Sequence, residues 1–263
     1  MRPATRKRRR SRRPLRLVER LPAWLAALAL LVGLAAGIAA VLAGAGTRWD
    51  WWPFTTGFEV LRWGTFLGIG TLVLALVAGG TAAAWRRHAL APALLAFALG
   101  LVVVIPPLTM LQQARSVPPI HDITTDTADP PRFVALRAAR RAAPNAVDYP
   151  GERAARRQRA AYPAVRPLTV AAPPERVFEA ARAAADAMGW RVVAADPQAW
   201  RLEATATTFW FGFTDDVVVR LTPQDGGTRV DVRSASRVGL SDLGANARRI
   251  TAFLQTLRAR LGL

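Results

Sequence analysis

The residues that could do chemistry lie in the carboxy-terminal half of the chain, where aspartates are interleaved with arginines. Asp215 and Asp216 are adjacent carboxylates, which can act as general acid and base where a cleft shifts the pKa of one of them. Interleaved arginines neutralise such carboxylates, so the pattern favours a cross-strand network of salt bridges on a solvated face of a sheet. The candidate polar surface comprises Asp215, Asp216, Arg220, Asp231, Arg233, Arg237, Asp242 and Asn246, together with His121 and Asp122 upstream.

His121 and Asp122, near Asp126 and Asp129, form a second polar group upstream. A divalent cation usually needs three or four converging ligands, and one histidine among scattered aspartates gives no defined geometry. Aspartate and threonine also favour turns, which explains the segment without a ligand. The chain has no cysteine, which excludes thiolate nucleophiles and thiolate metal sites. We therefore expect no metal and no cofactor, and an enzyme is not the leading class of function.

An aromatic cluster, Phe209, Trp210, Phe211 and Phe213, surrounds Gly212 just before the two aspartates. Strand alternation would send the three phenylalanines to one side and the tryptophan to the other. One interpretation is core filler at a bulge or strand corner, where the glycine supplies an unusual backbone angle. The other is a rim that binds an apolar ligand or enters the bilayer interface. In that second interpretation the four aromatic residues are the candidate ligand-binding residues.

The amino-terminal half consists mainly of long uncharged runs. Three of them, at about residues 24–46, 63–85 and 89–111 within the segment 21–113, are long enough to cross the roughly 30 Å hydrocarbon core as helices. Pro106 and Pro107 should kink or end the third helix near the interface. The first run is too long for the apolar core of a signal peptide, and two further runs follow it, so we predict an uncleaved anchor.

The distribution of basic residues predicts the orientation. Ten of the 36 Lys and Arg residues lie in the tail, residues 1–20, and Arg86 and Arg87 lie between the second and third runs. Both segments should be cytoplasmic, and three spans in the cytoplasmic membrane then place the carboxy-terminal domain on the periplasmic, extracytoplasmic side. A re-entrant third segment would return that domain to the cytoplasm. Tryptophans typical of an interfacial belt are Trp24, Trp49, Trp51, Trp52, Trp63 and Trp85.

The residue pattern in the rest of the chain predicts a linker and one folded domain. Residues 114–166 should form an extended strap with short helices, and residues 167–263 a compact domain. Its periodicities give the order strand, helix, four strands, helix, which is an α+β fold with an antiparallel sheet and two long helices packed on one face. Ser241 is the expected N-cap of the last helix. The predicted strands are residues 168–170, 190–195, 201–207, 216–222 and 228–236.

The last two strands should form a hairpin around the turn at residues 223–227. Their alternation puts valines and a leucine on a buried face and the charged residues on the opposite face. The turn register leaves Arg220 opposite either Asp231 or Arg233, and pairing with Asp231 avoids two like charges meeting directly. The predicted buried residues are Val217, Val219, Leu221, Val230 and Val232.

Several long motifs in this half are similar to those of a known family. They cover essentially all of residues 117–254 and resemble the bacterial, membrane-anchored domain-of-unknown-function 1499 family. The resemblance implies the limits of a domain but no established activity, cofactor or ligand. The motifs are PPIHDITTDTADPPRF from Pro118, TTFWFGFTDDVVVR from Thr207, DVRSASRVGLSDLGANARRI from Asp231, and the spacing of Asn145, Tyr149-Pro150-Gly151, Gln158 and Tyr162-Pro163.

Three functions are compatible with these features. The first is a binding module that holds a lipid or another envelope component in an apolar groove edged by the sheet and its helices, by analogy with helix-grip carriers. The second is an assembly protein that docks a membrane-protein partner through the charged face of the hairpin. The third is an envelope hydrolase, which requires Asp215 or Asp216 in a water-poor cleft rather than paired with arginine.

The bilayer is the expected partner of the chain, and nucleic acid is not. The formal net charge is +18, but the densest basic cluster directly precedes the first uncharged run, where cytoplasmic anchoring charge belongs. No groove-reading motif or aromatic RNA-binding platform accompanies this charge. The basic composition therefore indicates membrane topology.

Overall fold

The structure is a computed structural model that describes residues 17–85 and 87–263. The chain divides into two compact units, and the connection between the first two helices belongs to the same unit as the carboxy-terminal half. The predictions for the tail before residue 17 and for Arg86 fall outside the described residues. The first unit contains the described residues up to Ala43 and Thr55–Pro107, and the second contains Gly44–Phe54 and Leu108–Leu263.

Three long helices form the apolar half: α1 (Leu17–Arg48), α2 (Phe54–Trp85) and α3 (Leu90–Ser116), with a single 3₁₀ turn at Arg87–Ala89 before α3. Each is long and apolar enough to cross a membrane, as the sequence predicts. Pro106 and Pro107 lie inside α3, which continues to Ser116, so they do not end the helix. Each proline removes one backbone donor from the helix.

Small residues make the contacts inside the three-helix unit. Ala26, Ala78 and Ala93 form one buried cluster, and Ala29, Ala75 and Ala96 form another. Small side chains let helix backbones approach closely. This close packing favours the association of helices in a membrane, where the hydrophobic effect does not drive it. Large apolar side chains point outward, as a lipid-facing surface requires: Leu31 is 65% and Val102 is 69% exposed.

A six-stranded antiparallel sheet forms the centre of the second unit, in the order β1-β6-β5-β4-β3, with β2 also paired to β6. The last two strands form the predicted hairpin. The first two strands pair with successive stretches of the outer edge of β6. The strands are β1 (Asp122–Thr124), β2 (Leu168–Val170), β3 (Arg191–Asp196), β4 (Arg201–Thr207), β5 (Thr214–Gln224) and β6 (Gly227–Ser236).

Two long helices, α6 (Pro174–Ala187) and α7 (Ala245–Leu261), pack on one face of the sheet. Their apolar stripes and the inward valines of the hairpin form one core, in which Trp190 stacks on Phe253 with ring centroids 5.1 Å apart. The predicted α+β fold class is confirmed. Two short helices, α4 (Arg137–Arg141) and α5 (Glu152–Ala161), precede this core in the chain.

The strand β1 and the exact start of α7 were not predicted correctly. The strand β1 was not predicted, because three residues beginning with an aspartate show no apolar alternation. The helix α7 begins after Gly244, whose left-handed φ of 77° ends the preceding turn, so Ser241 is not its N-cap. Asp242 caps the start of the helix instead, because its carboxylate accepts hydrogen bonds from the backbone amides of Gly244 and Asn246, both at 2.8 Å.

Candidate functional site

The charged face of the hairpin lies opposite the helices. Arg220 faces Asp231 across the hairpin, as predicted, and its Nη2 lies 3.1 Å from the Asp231 Oδ2. The prediction that this face is solvated was wrong, because Asp216 and Asp231 are 0% exposed and Arg233 is 2% exposed. Buried charges require partners, and several of these partners come from β1 and from residues 125–149, which we call the covering segment.

Arg233 is held by β1 and the covering segment. Its guanidinium donates to both carboxylate oxygens of Asp122, at 2.9 and 2.7 Å, in a bidentate pair. It also donates to the carbonyl oxygens of Pro131 and Val147, at 3.2 and 2.9 Å. Asp122 is 1% exposed, so it is part of a buried ion pair and not a surface ligand.

Phe133 separates two buried guanidinium groups. The Cζ atoms of Arg140 and Arg233 lie 4.8 and 4.9 Å from the centre of its ring. Arg140 donates to Asp216 at 3.1 Å and to the carbonyls of Ala235 and Ala146 at 2.9 Å each. Burial lowers the pKa of Arg140 while Asp122 and Asp216 act in the opposite direction, and the group stays charged because arginine titrates so high.

Glu203 on β4 anchors the start of the covering helix α4. Its carboxylate accepts hydrogen bonds from the backbone amides of Val134, Ala135 and Leu136 at 2.8, 3.1 and 2.9 Å. The residue is 1% exposed. Glu203 was not among the candidate residues predicted from the sequence. Its signal is a lone carboxylate on a face that other charged residues line.

Gln158 on α5 completes the edge of the sheet. Its Nε2 donates to the carbonyl oxygen of Thr124 at 2.6 Å, and its Oε1 accepts from the amide of Thr124 at 3.0 Å. The side-chain amide thus pairs with β1 as another strand would. This pairing satisfies an edge that would otherwise expose backbone donors and acceptors.

The rim of the charged face reaches solvent. Arg220 donates to the carboxylate of Asp129 at 2.7 Å, and Arg229 donates to that of Asp126 at 2.7 Å. Their side chains are 27% and 32% exposed. Arg220 and Arg229 are therefore partly exposed residues of the predicted docking face, because the covering segment lies over its centre.

The two adjacent aspartates are both paired with arginine. Asp215 accepts from Arg249, and Asp216 accepts from Arg140 and Arg237. Both carboxylates are almost fully buried. The hydrolase hypothesis required one of them in a cleft without an arginine partner, so this geometry removes its general base.

Asn246 at the start of α7 connects three segments. Its Nδ2 donates to the carbonyl oxygen of His121 and to the Ser236 hydroxyl, both at 3.0 Å, and its Oδ1 accepts from Ser234. The His121 Nδ1 is buried and has no hydrogen-bond partner among the described residues. Within that part of the chain, no group of three His, Asp or Glu residues could hold a metal ion.

The aromatic cluster forms the turn between β4 and β5. The amide of Thr208 donates to the carbonyl of Phe213 at 2.8 Å, and the amide of Phe213 donates to the Thr208 hydroxyl at 2.9 Å. Gly212 has a left-handed φ of 70°. Because the chain turns here, the alternation predicted for the phenylalanines was wrong: Phe209 is 93% exposed and Phe211 is 3% exposed.

This turn is attached to the connection between α1 and α2. The guanidinium of Arg48 donates to the carbonyl oxygens of Thr208 and Phe209 at 3.0 and 2.8 Å. Phe54 packs edge-on against Phe213, with ring centroids 5.9 Å apart. The connection also carries Trp49 and Trp51, which are 60% and 58% exposed. We call Trp49, Trp51 and Phe209 the exposed aromatics.

A cleft of about 390 Å³ opens beside the first turns of α7. One wall is Tyr162–Val165, the other is Gly244 with the part of α7 that ends at Gln255, and Val117 lies at one end. The walls are mainly small and apolar. The hydroxyl of Tyr162 is buried and has no hydrogen-bond partner among the described residues. Sequence reasoning did not identify this site, because its residues come from three separate segments.

The comparison with protein families agrees with the sequence resemblance. No curated protein matches the chain. One solved crystal structure, of the protein TTHA0849 from Thermus thermophilus, is 17% identical, with coverage of 36% of this chain and 93% of that one. Its TM-score is 0.23, so it supports no inference about function. The family described as "Protein of unknown function (DUF1499)" matches residues 122–257, more than half of the chain, and the chain therefore belongs to this family.

Proposed function

We propose that the chain is a membrane-anchored binding module whose α+β domain lies on the outer face of the cytoplasmic membrane and binds lipid at the bilayer surface. One observation carries the proposal. Arg48 attaches the β4–β5 turn to the short connection between two apolar helices, and Phe209, Trp49 and Trp51 remain exposed. A connection between two membrane-crossing helices lies at the membrane surface by chain continuity, so the attached turn lies there too.

The distribution of charges supports this orientation. The tail and the second connection are rich in arginine, whereas the first connection is not, and cytoplasmic loops carry the excess of Arg and Lys. The segment Gly44–Phe54 belongs to the same compact unit as Leu108–Leu263. This grouping supports a position of both segments on one side of the membrane, as three spans require. The continuous helix α3 also supports a full crossing over a re-entrant segment.

The residue types suit the interface between lipid and water. Tryptophan presents an apolar body with a polar N–H and concentrates at head-group level. Burying a phenylalanine side chain stabilises by about 1.5–3 kcal/mol, so leaving Phe209 in water forgoes a gain that the adjacent bilayer supplies. The interior between helices and sheet is filled by core residues such as Val177, Ile250 and Phe253, each 0% exposed. Lipid contact is therefore assigned to the outer surface of the domain.

The absence of cysteine from the sequence allows a clean test. The variant Phe209→Cys is labelled with an environment-sensitive fluorophore and reconstituted as the full chain in phospholipid nanodiscs. We expect blue-shifted emission that lipids brominated on their acyl chains quench and aqueous iodide does not.

The matched control is Val193→Cys, a 43% exposed position on the outer strand β3. Its label should be quenched by iodide and not by brominated lipid. If the label at position 209 behaves like the label at position 193, the turn does not contact lipid and the proposal is wrong.

A further inference from the structure

The cleft beside α7 lies close to the end of a membrane helix. Val117, which lines one end of it, directly follows the last residue of α3. At 1.5 Å per residue, the 27 residues of α3 extend about 40 Å. A bilayer with its head groups is about 40–45 Å thick. With α3 across the bilayer in the orientation proposed above, Val117 lies at the level of the outer head groups, and the cleft is within reach of lipid.

The walls of the cleft suit an acyl chain. Its volume of about 390 Å³ falls in the range of roughly 300–1,000 Å³ that small-molecule sites occupy. Pro163, Ala164 and Val165 form one wall, and Ala247 and Ala252 on α7 belong to the other. The small side chain of the exposed Ala252 helps to keep this space open, since a much larger residue there would fill it.

Polar groups in the cleft suit a phosphate. Arg248 donates to the carbonyl of Leu243 at 3.0 Å but forms no ion pair among the described residues. The buried hydroxyl of Tyr162 has no partner in that same set. Burial and the nearby Asp242 raise the pKa of this hydroxyl, so it remains a donor. The carboxylate of Asp242 is directed to the amides of Gly244 and Asn246.

We propose that this cleft binds one membrane phospholipid, with an acyl chain between α7 and residues 162–165 and the phosphate on Arg248 and Tyr162. The proposal rests on the proposed function for the position of the domain on the outer face of the membrane. It deepens that function by naming a site and a ligand class. Arg248 acts as the charged contact, since guanidinium groups bind phosphate oxygens through charge-assisted hydrogen bonds.

The test uses the full chain in neutral phosphatidylcholine nanodiscs with a trace of phosphatidylglycerol that carries a photoreactive group at the end of one acyl chain. After irradiation, peptide mass spectrometry locates the adducts. We expect adducts on residues 161–165 and on the first turns of α7. Replacement Arg248→Gln should lower their yield about tenfold, and Arg248→Lys should restore part of it. Replacement Ala252→Trp should fill the cleft and abolish them.

Two substitutions at exposed positions near the end of α7, Arg258→Gln and Ala259→Trp, serve as matched controls and should leave the yield unchanged. Circular dichroism of each variant verifies that the domain stays folded. Adducts that persist in Ala252→Trp would overturn the site, as would a loss of adducts when excess inorganic phosphate is added, which would indicate a site for free anions. Adducts on the exposed aromatics report the proposed function separately: if these form while the cleft stays unlabelled, only the cleft proposal fails.

Discussion

Replacing Glu203 by glutamine should release the covering segment from the sheet. In the native chain both carboxylate oxygens accept amides at the start of α4, and one also lies 3.3 Å from the Nε of Arg201. The new amide group would present a donor to the amide of Leu136 and remove the charge that strengthens the other two hydrogen bonds. Hydrogen bonds to charged groups contribute about 1.5–3 kcal/mol each and do not add fully.

We therefore expect the local opening free energy of residues 133–140 to fall by about 2–3 kcal/mol, which corresponds to roughly 30- to 150-fold faster amide exchange at Val134, Ala135 and Leu136. Hydrogen–deuterium exchange of the full chain in nanodiscs measures this directly. The control Glu179→Gln changes an exposed carboxylate on α6 and should leave these rates unchanged. Exchange within about threefold of the wild-type rate in Glu203→Gln would refute the role assigned to this carboxylate.

Three further outcomes are expected. Burial raises the pKa of Tyr149 to about 12; since the folded chain holds this proton more tightly than the unfolded one, stability should fall as the pH rises from about 10 to about 12. The variant Tyr162→Phe leaves Tyr149 as the one remaining tyrosine, so its phenolate absorbance measures this titration. A midpoint near 10 in the folded chain would contradict the raised pKa. Replacement Gln158→Ala removes both hydrogen bonds to Thr124 and should lower the local opening free energy by about 1–3 kcal/mol. The measurement is faster hydrogen exchange of the Thr124 amide, and an unchanged rate would show that β1 does not need these hydrogen bonds. In Gly227→Ala the new Cβ would collide with the carbonyl oxygen of Val170. We expect the free energy of unfolding to fall by roughly 1–3 kcal/mol, measured as a lower Tm, and an unchanged Tm would show that β2 can move to make room.

The fold could be predicted because its signals are local. Alternating valines in β5 and β6 and the apolar stripe of α7 are each read within a few residues, and the sheet with its helices follows from packing their apolar sides together. The exact start of α7 was missed because Ser241 and Asp242 are equally good caps by residue type. Only the left-handed backbone of Gly244 distinguishes them.

The candidate site could not be predicted in the same way. Charges that alternate along a strand usually face water, and nothing near Asp216 or Arg233 indicates that residues 125–149 cover them. That cover depends on distant partners: Asp122 with Arg233, and Glu203 with the amides of α4. In the aromatic cluster the useful signal was Gly212, which predicts a turn and therefore separates Phe209 from Phe211.

The side of the membrane on which the α+β domain lies is the central claim, and cysteine accessibility tests it most directly. Asp225→Cys places a thiol in the exposed hairpin turn, and His88→Cys places one in the exposed connection before α3. The sequence contains no other cysteine, so a membrane-impermeant maleimide added to intact spheroplasts reports each position alone. Labelling of position 225 before lysis, and of position 88 only after lysis, is the predicted result; the reverse pattern would contradict the account.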